Sequence, residues 1–494
     1  MLENIDLNIS EIKSMCKKCE VDFDHVWKEI TELISFRKMS VLCARRKRNG
    51  VPVMVLLQVS LALPFFICQT VNSFFRSRFK RLVELDSSCS LYRFFQDSFI
   101  NWRNVLYGVN KQFSDHDKAI SSELPTAIIF DDSPIMKCGK KIEGVTRIFN
   151  HVLHKHVLGF NFLGMCWFNG CYSRFLDFAF VGERPLKDKE RKKQFSKKRD
   201  SKSFGSKRKK ELKKDKISLV IEMLNRAIAK KFIPDYVLCD SWFTCAEIIN
   251  ATRNLANGLV HYLGMIKDGK RKYLYSGQSF TLSQLRRHVL GRKKRCTKFK
   301  SFYVEVICEI PKVGTVKIFF SRYSGNRKWV ALITTDLSLN YIAAMKIYAI
   351  RWNIEVNFKE CKQLLKLGKH PANDFDSQIA HTTNVLLVHA VLVHLKFLHD
   401  HKSLGILFES INDQYTELLT VEKIIAMLEF FLYSLAEQMG GVKQVSLDKL
   451  LHSQPYKLFK DMIENSLLFK SDFANSDYHI GKEVDTEENI ANVA

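Results

Sequence analysis

The sequence predicts an α/β protein whose core is a mixed sheet flanked by helical regions, and three observations carry that prediction. Two short apolar runs, Ala127-Ile128-Ile129-Phe130 and Tyr236-Val237-Leu238-Cys239, each lead straight into aspartates and turn-forming residues, as buried strands do where they leave a sheet. Two longer strand-like runs, 157–168 and 172–181, are separated by Asn169-Gly170, a strong hairpin signal. From Tyr341 onward apolar residues recur at helical spacing, so a long helix follows the last strand.

In chain order, residues 1–120 read as a helical N-terminal region with amphipathic spacing at Ile30-Leu33-Ile34 and again over 82–95, expected to bind DNA. Residues 121–267 form the first part of the core: three strands, a helix at 217–231, a strand ending at Asp240, a helix at 246–255 and a strand at 260–266. Residues 268–328 carry alternating segments, 302–310 and 315–323, broken by Pro311 and Gly314, and read as a β-rich insertion. Residues 329–375 supply the last core strand and a long helix beginning near Tyr341, capped by Asp336, Ser338 or Asn340. Residues 376–470 read as a helical C-terminal region, and the acidic tail 471–494 as disordered. Strand, strand, strand, helix, strand, helix, strand, then helix is the order expected of an RNase H-like fold. No internal repeat is found.

The 494 residues carry a formal net charge of +25. Residues 183–216 hold 17 Lys/Arg against 6 Asp/Glu, yet the rest of the chain remains basic without them. The stretch is too rich in lysine to be expected to pack and reads as a mobile insertion that either tracks DNA or is a solvated loop. A positive field spread over several segments suits a polyanion, since each neutralised phosphate releases condensed counterions; a solubilising surface is the plainer alternative. Thirteen cysteines are scattered, several within apolar runs, and no secretion signal is read at the start, so reduced thiols and a cytoplasmic location are expected. Cys16 and Cys19 make a lone CxxC without a second pair, which argues against zinc. Residues 51–67 are almost continuously apolar but contain Gln58 and Pro64, and read as a buried helix rather than a membrane span.

Asp131 and Asp240 each directly follow an apolar run and so emerge at the carboxyl ends of strands, where open sheets place ligand sites. Phosphodiester chemistry with two hard cations needs convergent carboxylates of this kind. The plain alternatives are an Asx turn at Asp131 or Asp132 and a helix cap at Asp240 or Ser241. Tyr348, Arg351, Glu355 and Lys362, at i, i+3, i+7 and i+14, fall within a roughly 60° stripe of one helix, beside an apolar arc of Ile347, Ile350, Ile354, Phe358 and Leu365. An ordinary surface helix with Arg351, Glu355 and Lys359 in i, i+4 ion pairs would look the same. His151, His154 and His156 lack a supporting carboxylate motif. Lys137-Cys138-Gly139-Lys140 lacks the glycine spacing of a phosphate loop. Tyr323 and Trp329 are candidate platforms for an unpaired base, although burial is the commoner fate of such residues.

The segment Y348-AI-R351-WNI-E355-VNFKEC-K362 resembles, at every gap, the Tyr-(2)-Arg-(3)-Glu-(6)-Lys signature of a large group of bacterial insertion-sequence transposases. IIFDDSPIMKCGKKIEG and YVLCDSWF resemble the two aspartate motifs of the same group. LLQVSLALPFF and SLYRFFQDSFINWRNVLY resemble its N-terminal region, less specifically. The resemblance spans about residues 50–400. It implies an RNase H-like DDE transposase with a mostly β insertion between the second aspartate and the glutamate. It further implies Asp131 (with Asp132 a close rival), Asp240 and Glu355 as catalytic ligands of Mg²⁺, or Mn²⁺ in its place. Tyr348, Arg351 and Lys362 would contact phosphates of double-stranded transposon-end or target DNA. A homodimer on DNA, action at the bacterial nucleoid and no membrane association are further expectations; the alternative is an inactive, transposase-derived DNA-binding protein. The Lys-rich stretch is no part of the recognised pattern.

Overall fold

The computed structural model describes Ile30 and residues 33–43, 50–65, 71–76, 87–120, 122–151, 153–325 and 328–408. The chain divides into two units, residues 1–30 with 409–484 and residues 31–408 with 485–494; apart from Ile30, every described residue belongs to the second. Cys16, Cys19, most of the region 376–470 and the tail 471–494 lie outside the described residues.

The sheet is built outward from β1 (Ala127–Met136), whose first four residues are wholly buried. On one edge β1 pairs antiparallel with β3 (Lys155–Phe168), which in turn carries β2 (Thr146–Asn150) and β4 (Ser173–Val181), both antiparallel. On its other edge β1 pairs parallel with β5 (Tyr236–Cys239), and β5 pairs parallel with β6 (His261–Ile266). β12 (Val330–Thr334) joins β6 antiparallel. Through β12 the sheet runs on into β11 (Gly314–Tyr323), β10 (Ser301–Ile310), β7 (Tyr273–Tyr275) and β8 (Gln278–Phe280), with β9 (Lys294–Cys296) also on β10. Residues 273–323 therefore continue the core sheet. Antiparallel strands on one side of β1 and parallel strands on the other make a mixed α/β sheet consistent with an RNase H-like fold.

Helices α1 (Phe36–Leu42), α2 (Val53–Ala62), α3 (Val71–Arg76), α4 (Ser88–Phe95), α5 (Trp102–Gln112) and α6 (Ser114–Ala119) precede the sheet. Between β4 and β5 come α7 (Asp188–Arg191), α8 (Phe204–Glu211) and α9 (Lys216–Ala229). Asp215 caps α9 by accepting from the Ser218 N–H at 2.8 Å. Leu219, Val220, Met223, Leu224 and Ala227 recur on the buried side of α9, the face it lays on the core, each large side chain contributing about 1.5–3 kcal/mol. The α10 helix (Ala246–Arg253) joins β5 to β6, and α11 (Leu282–Val289) lies between β8 and β9. After β12 come α12 (Tyr341–Ala349), α13 (Asn353–Gln363) and α14 (Phe375–Leu398). By length and composition α14 is apolar enough to cross a membrane, but 94% of its most apolar window is buried in the protein. The apolar run 51–67 holds α2, only ten residues long, followed by a 3₁₀ turn at Leu63–Phe65.

Several local readings change. β1 does not stop at Phe130: β5 ends opposite it, whereas the longer β3 keeps pairing as far as Met136. Asp131 to Pro134 therefore lie in a strand paired on one edge, where a proline is tolerated. The short edge strand β2 carries no run long enough to announce itself. The turn at Asn169 behaves as expected: its Oδ1 accepts from the N–H groups of Cys171 and Tyr172, and Gly170 takes φ +106°. Asn340 caps α12, accepting from the Ala343 N–H at 2.9 Å, while Asp336 instead accepts from the Tyr236 hydroxyl and the Ser338 N–H.

Most of the basic stretch 183–216 is exposed, but parts of it are anchored to the rest of the protein. Four of its cations, Lys197, Arg199, Arg208 and Lys209, meet carboxylates that are themselves buried. Arg199, with a side chain 3% exposed, donates to Glu143 at 2.8 and 2.5 Å and to Asp376 at 2.9 Å. Lys197 reaches Asp376 at 3.0 Å, and Lys209 reaches Glu143 at 2.6 Å. Arg208 donates to the Phe178 carbonyl and pairs with Glu211, which Arg103 also holds. A second network explains two charged residues in β4, all of whose residues are buried. Arg103 and Arg226 grip Asp177, while Arg174 pairs with Asp117 and donates to Asn110.

Candidate active site at the strand ends

The parallel register of β1 and β5 ends at Phe130 opposite Cys239, so the next residues are Asp131, within β1, and Asp240, just past β5, on neighbouring chains about 4.8 Å apart. Asp240 is fixed by an Asx turn: its Oδ1 accepts from the N–H groups of Trp242 at 2.9 Å and Phe243 at 3.2 Å. Thr244 ties the same loop down, donating to the Asp240 carbonyl at 2.9 Å and lying 2.7 Å from the Tyr262 hydroxyl. The aspartate is thus a turn former just past the end of β5, and not the helix cap that the sequence also allows, since α10 starts from Cys245.

The segment bearing Tyr348, Arg351, Glu355 and Lys362 is not one unbroken helix. Residues Ile350–Trp352 tighten into a 3₁₀ turn between α12 and α13, where the Asn353 side chain donates to the Ile350 carbonyl at 2.8 Å and competes with the main-chain ladder. The backbone stays helical, and the apolar arc Ile347, Ile350, Ile354, Phe358 and Leu365 is buried. Gly164, opposite Asp131 in β3, lets that arc approach: a Cβ there would lie 2.8 Å from the Phe175 ring and 3.2 Å from the Phe358 ring.

Arg351 bridges two of the three acids. Its Nη2 donates to Glu355 Oε1 at 2.7 Å, and its Nη1 lies 3.5 Å from Asp131 Oδ2. The i, i+4 ion pair of an ordinary helix is present, but the same guanidinium also reaches a strand 220 residues away in the chain. Tyr348 is only 2% exposed, and its ring packs 5.9 Å from the Arg351 guanidinium carbon. Lys362 donates to Ser133 Oγ at 2.5 Å.

Alternation along β1 separates its two aspartates. Asp131 and Ser133, two apart, meet Arg351 and Lys362, whereas Asp132 pairs with Lys216 at the start of α9, 2.8 Å away. Burial raises the Asp131 pKa, and the nearby Asp240 and Asp132 raise it further; Arg351 and the Asp132 N–H offset only part of this, and the result is about 7. Burial raises the Tyr348 hydroxyl well above its ordinary range, with Arg351 opposing and Asp240 adding, which also brings Asp240 to this side of the sheet. Burial lowers the Lys362 pKa.

Hard oxygen donors, an unusually basic aspartate and a cationic side chain already spanning two acids suit a divalent cation in electrostatics and in donor type. Among the described residues no three His, Cys, Asp or Glu side chains stand ready-grouped around one ion, and the Arg351 guanidinium reaches both Asp131 and Glu355. Asp131, Asp240 and Glu355 are the carboxylates that could hold a metal, and Arg351 engages two of them. Ser133, Lys216 and Thr244 were not singled out in the sequence. Ser133 alone had a signal, its position two residues along the strand from Asp131. Tyr323 and Trp329 are half-buried, with Arg322 stacked 5.4 Å over Trp329.

No curated protein matches the chain. Residues 81–302 match the family model described as DDE superfamily endonuclease. The match contains Asp131 and Asp240 and stops before Glu355; it supports a DDE-type transposase or nuclease, an enzyme class that implies DNA as substrate and generally uses divalent metals.

Proposed function

We propose that this protein is the DNA transposase of a bacterial insertion sequence, cleaving phosphodiesters at the element ends and joining them to target DNA at the nucleoid. The observation that carries the reading is that Arg351 bridges Asp131 to Glu355 beside the point where β1 and β5 stop pairing and Asp240 follows β5, in a chain whose residues 81–302 match a DDE superfamily endonuclease. Asp131, Asp240 and Glu355 would hold Mg²⁺, or Mn²⁺ in its place, which when bound activates the attacking oxygen and stabilises the leaving one. The protein's own part is to fix those carboxylates: Asp240 through its turn, Asp131 through β1, and Glu355 through α13. Arg351, drawn off the carboxylates by a phosphate, would grip it as a two-pronged donor, and Lys362 would act as a point charge. Tyr348, behind Arg351, would set the direction of that fork. Two element ends must be processed together, so a homodimer on DNA is expected, and light scattering of the complex checks it.

The test is cleavage of duplex DNA carrying the terminal repeats that flank the gene, with Mg²⁺. Asp240→Asn and Glu355→Gln should each lower cleavage at least about a hundredfold while leaving DNA binding intact. Wild-type rates in both variants would refute the reading. The engagement of Asp131 and Glu355 by Arg351 gives weight to a second reading, a DNA-binding protein without catalysis; it requires salt-dependent binding with no metal-dependent product.

A further inference from the structure

Two residues beyond Asp240 stands an aromatic ring that the carboxylate chemistry does not use. Trp242 is 53% exposed, more than any other tryptophan among the described residues. It is nevertheless held firmly. Its main-chain N–H donates to Asp240 Oδ1 at 2.9 Å, and its ring meets the fully buried Phe243 ring at a steep angle, with centroids 4.8 Å apart. The Lys216 ammonium sits 4.9 Å from the indole centroid, itself fixed by Asp132 at 2.8 Å. A cation whose own position is set thus lies over the ring, Phe243 packs against it at a steep angle, and about half of the residue is open to solvent.

An exposed, pre-oriented indole beside a strand-end acid and a lysine has the form of a stacking platform. A nucleobase is the partner that matches it, since every base presents a flat π-face and its phosphate is drawn to the adjoining positive charge. Within a duplex that face is already taken by neighbouring base pairs, so the ligand must be a base that is unpaired or at a strand end. We propose that Trp242 stacks on an unpaired base next to the phosphodiester presented to Asp131 and Asp240, a role that rests on the DNA reading above. The ring is rigid before binding, so little order is lost on contact.

Full-length protein is titrated, by fluorescence anisotropy, against a labelled duplex with a short single-stranded thymine overhang and against the same duplex with an abasic overhang. Wild type is expected to prefer the base-bearing probe about tenfold, the size of one base–aromatic stack. Trp242→Ala should abolish the preference while binding the abasic probe as wild type does, and Trp242→Phe should retain most of it. The exposure of the ring makes misfolding of these variants unexpected, and matching circular dichroism spectra check that. Equal binding of both probes by wild type, or a preference that survives in Trp242→Ala, overturns the stacking role alone. A wild type that binds neither probe overturns the DNA reading with it.

Discussion

Replacing Glu143 by glutamine tests whether the Lys/Arg-rich stretch is a built part of the fold. The carboxylate is 2% exposed and accepts from both Arg199 Nη atoms, from Lys209 Nζ at 2.6 Å and from the N–H groups of Lys197 and Phe375, each at 3.2 Å. Burial alone would raise its pKa; the hydrogen bonds from Arg199 and Lys209 outweigh it and hold the group at about 2, against 4.5 for a free carboxyl. At 1.36 kcal/mol per unit, that depression corresponds to roughly 3 kcal/mol of stability at neutral pH. Because the folded pKa lies below the unfolded one, the contribution is complete above the unfolded value and is lost as pH falls from about 4.5 to about 2. Glutamine keeps the shape and removes the charge, leaving Arg199 buried with too little counter-charge. Urea unfolding at neutral pH should show Glu143→Gln destabilised by about 3 kcal/mol, with the gap to wild type narrowing near pH 2. Trypsin should cut within 183–216 faster in the variant. An unchanged midpoint together with unchanged cleavage would refute the reasoning.

Arg351→Lys keeps a positive charge but cannot span Asp131 and Glu355 with two prongs, so cleavage should fall at least about tenfold; a wild-type rate would show that the fork is unnecessary. The raised pKa of Asp131 carries the opposite sign to that of Glu143: the folded group holds its proton more tightly, so without metal its contribution to stability falls as pH rises from about 4 to about 7. A cation must displace that proton, so calorimetry in two buffers should find about one proton released on Mg²⁺ binding near pH 6 and almost none near pH 8. Equal release at both, or no change in Asp131→Asn, would remove Asp131 from the ligand set.

How far the sequence could be read depended on the range of the signal. Local patterns sufficed for β5 running into Asp240, for the turn at Asn169 and for the buried arc of α13, since each is decided by neighbours in the chain. β1 was misjudged because its length is decided by β3, a partner about 30 residues on, and not by its own apolar run. The anchoring of the stretch 183–216 was illegible for a similar reason. Composition counts cations but cannot see that Glu143, Asp374 and Asp376 are buried where Arg199 and Lys197 can reach them. The 3₁₀ turn at Ile350–Trp352 escaped periodicity because it barely alters the direction of side chains.

The same distinction bears on the rivalry of Asp131 and Asp132, which sequence left open. Adjacent residues of a strand face opposite ways, so the two carboxylates cannot serve one centre equally. Asp132 turns toward α9, and Lys216 neutralises it there. Asp131 turns toward α13, into a setting where burial and a neighbouring aspartate leave it short of positive charge even with Arg351 alongside. A carboxylate already satisfied by a lysine gains little from a metal, whereas one raised to about 7 gains the most. The electrostatics thus favour Asp131 as the first ligand, and leave Asp132 to hold Lys216 over the Trp242 ring.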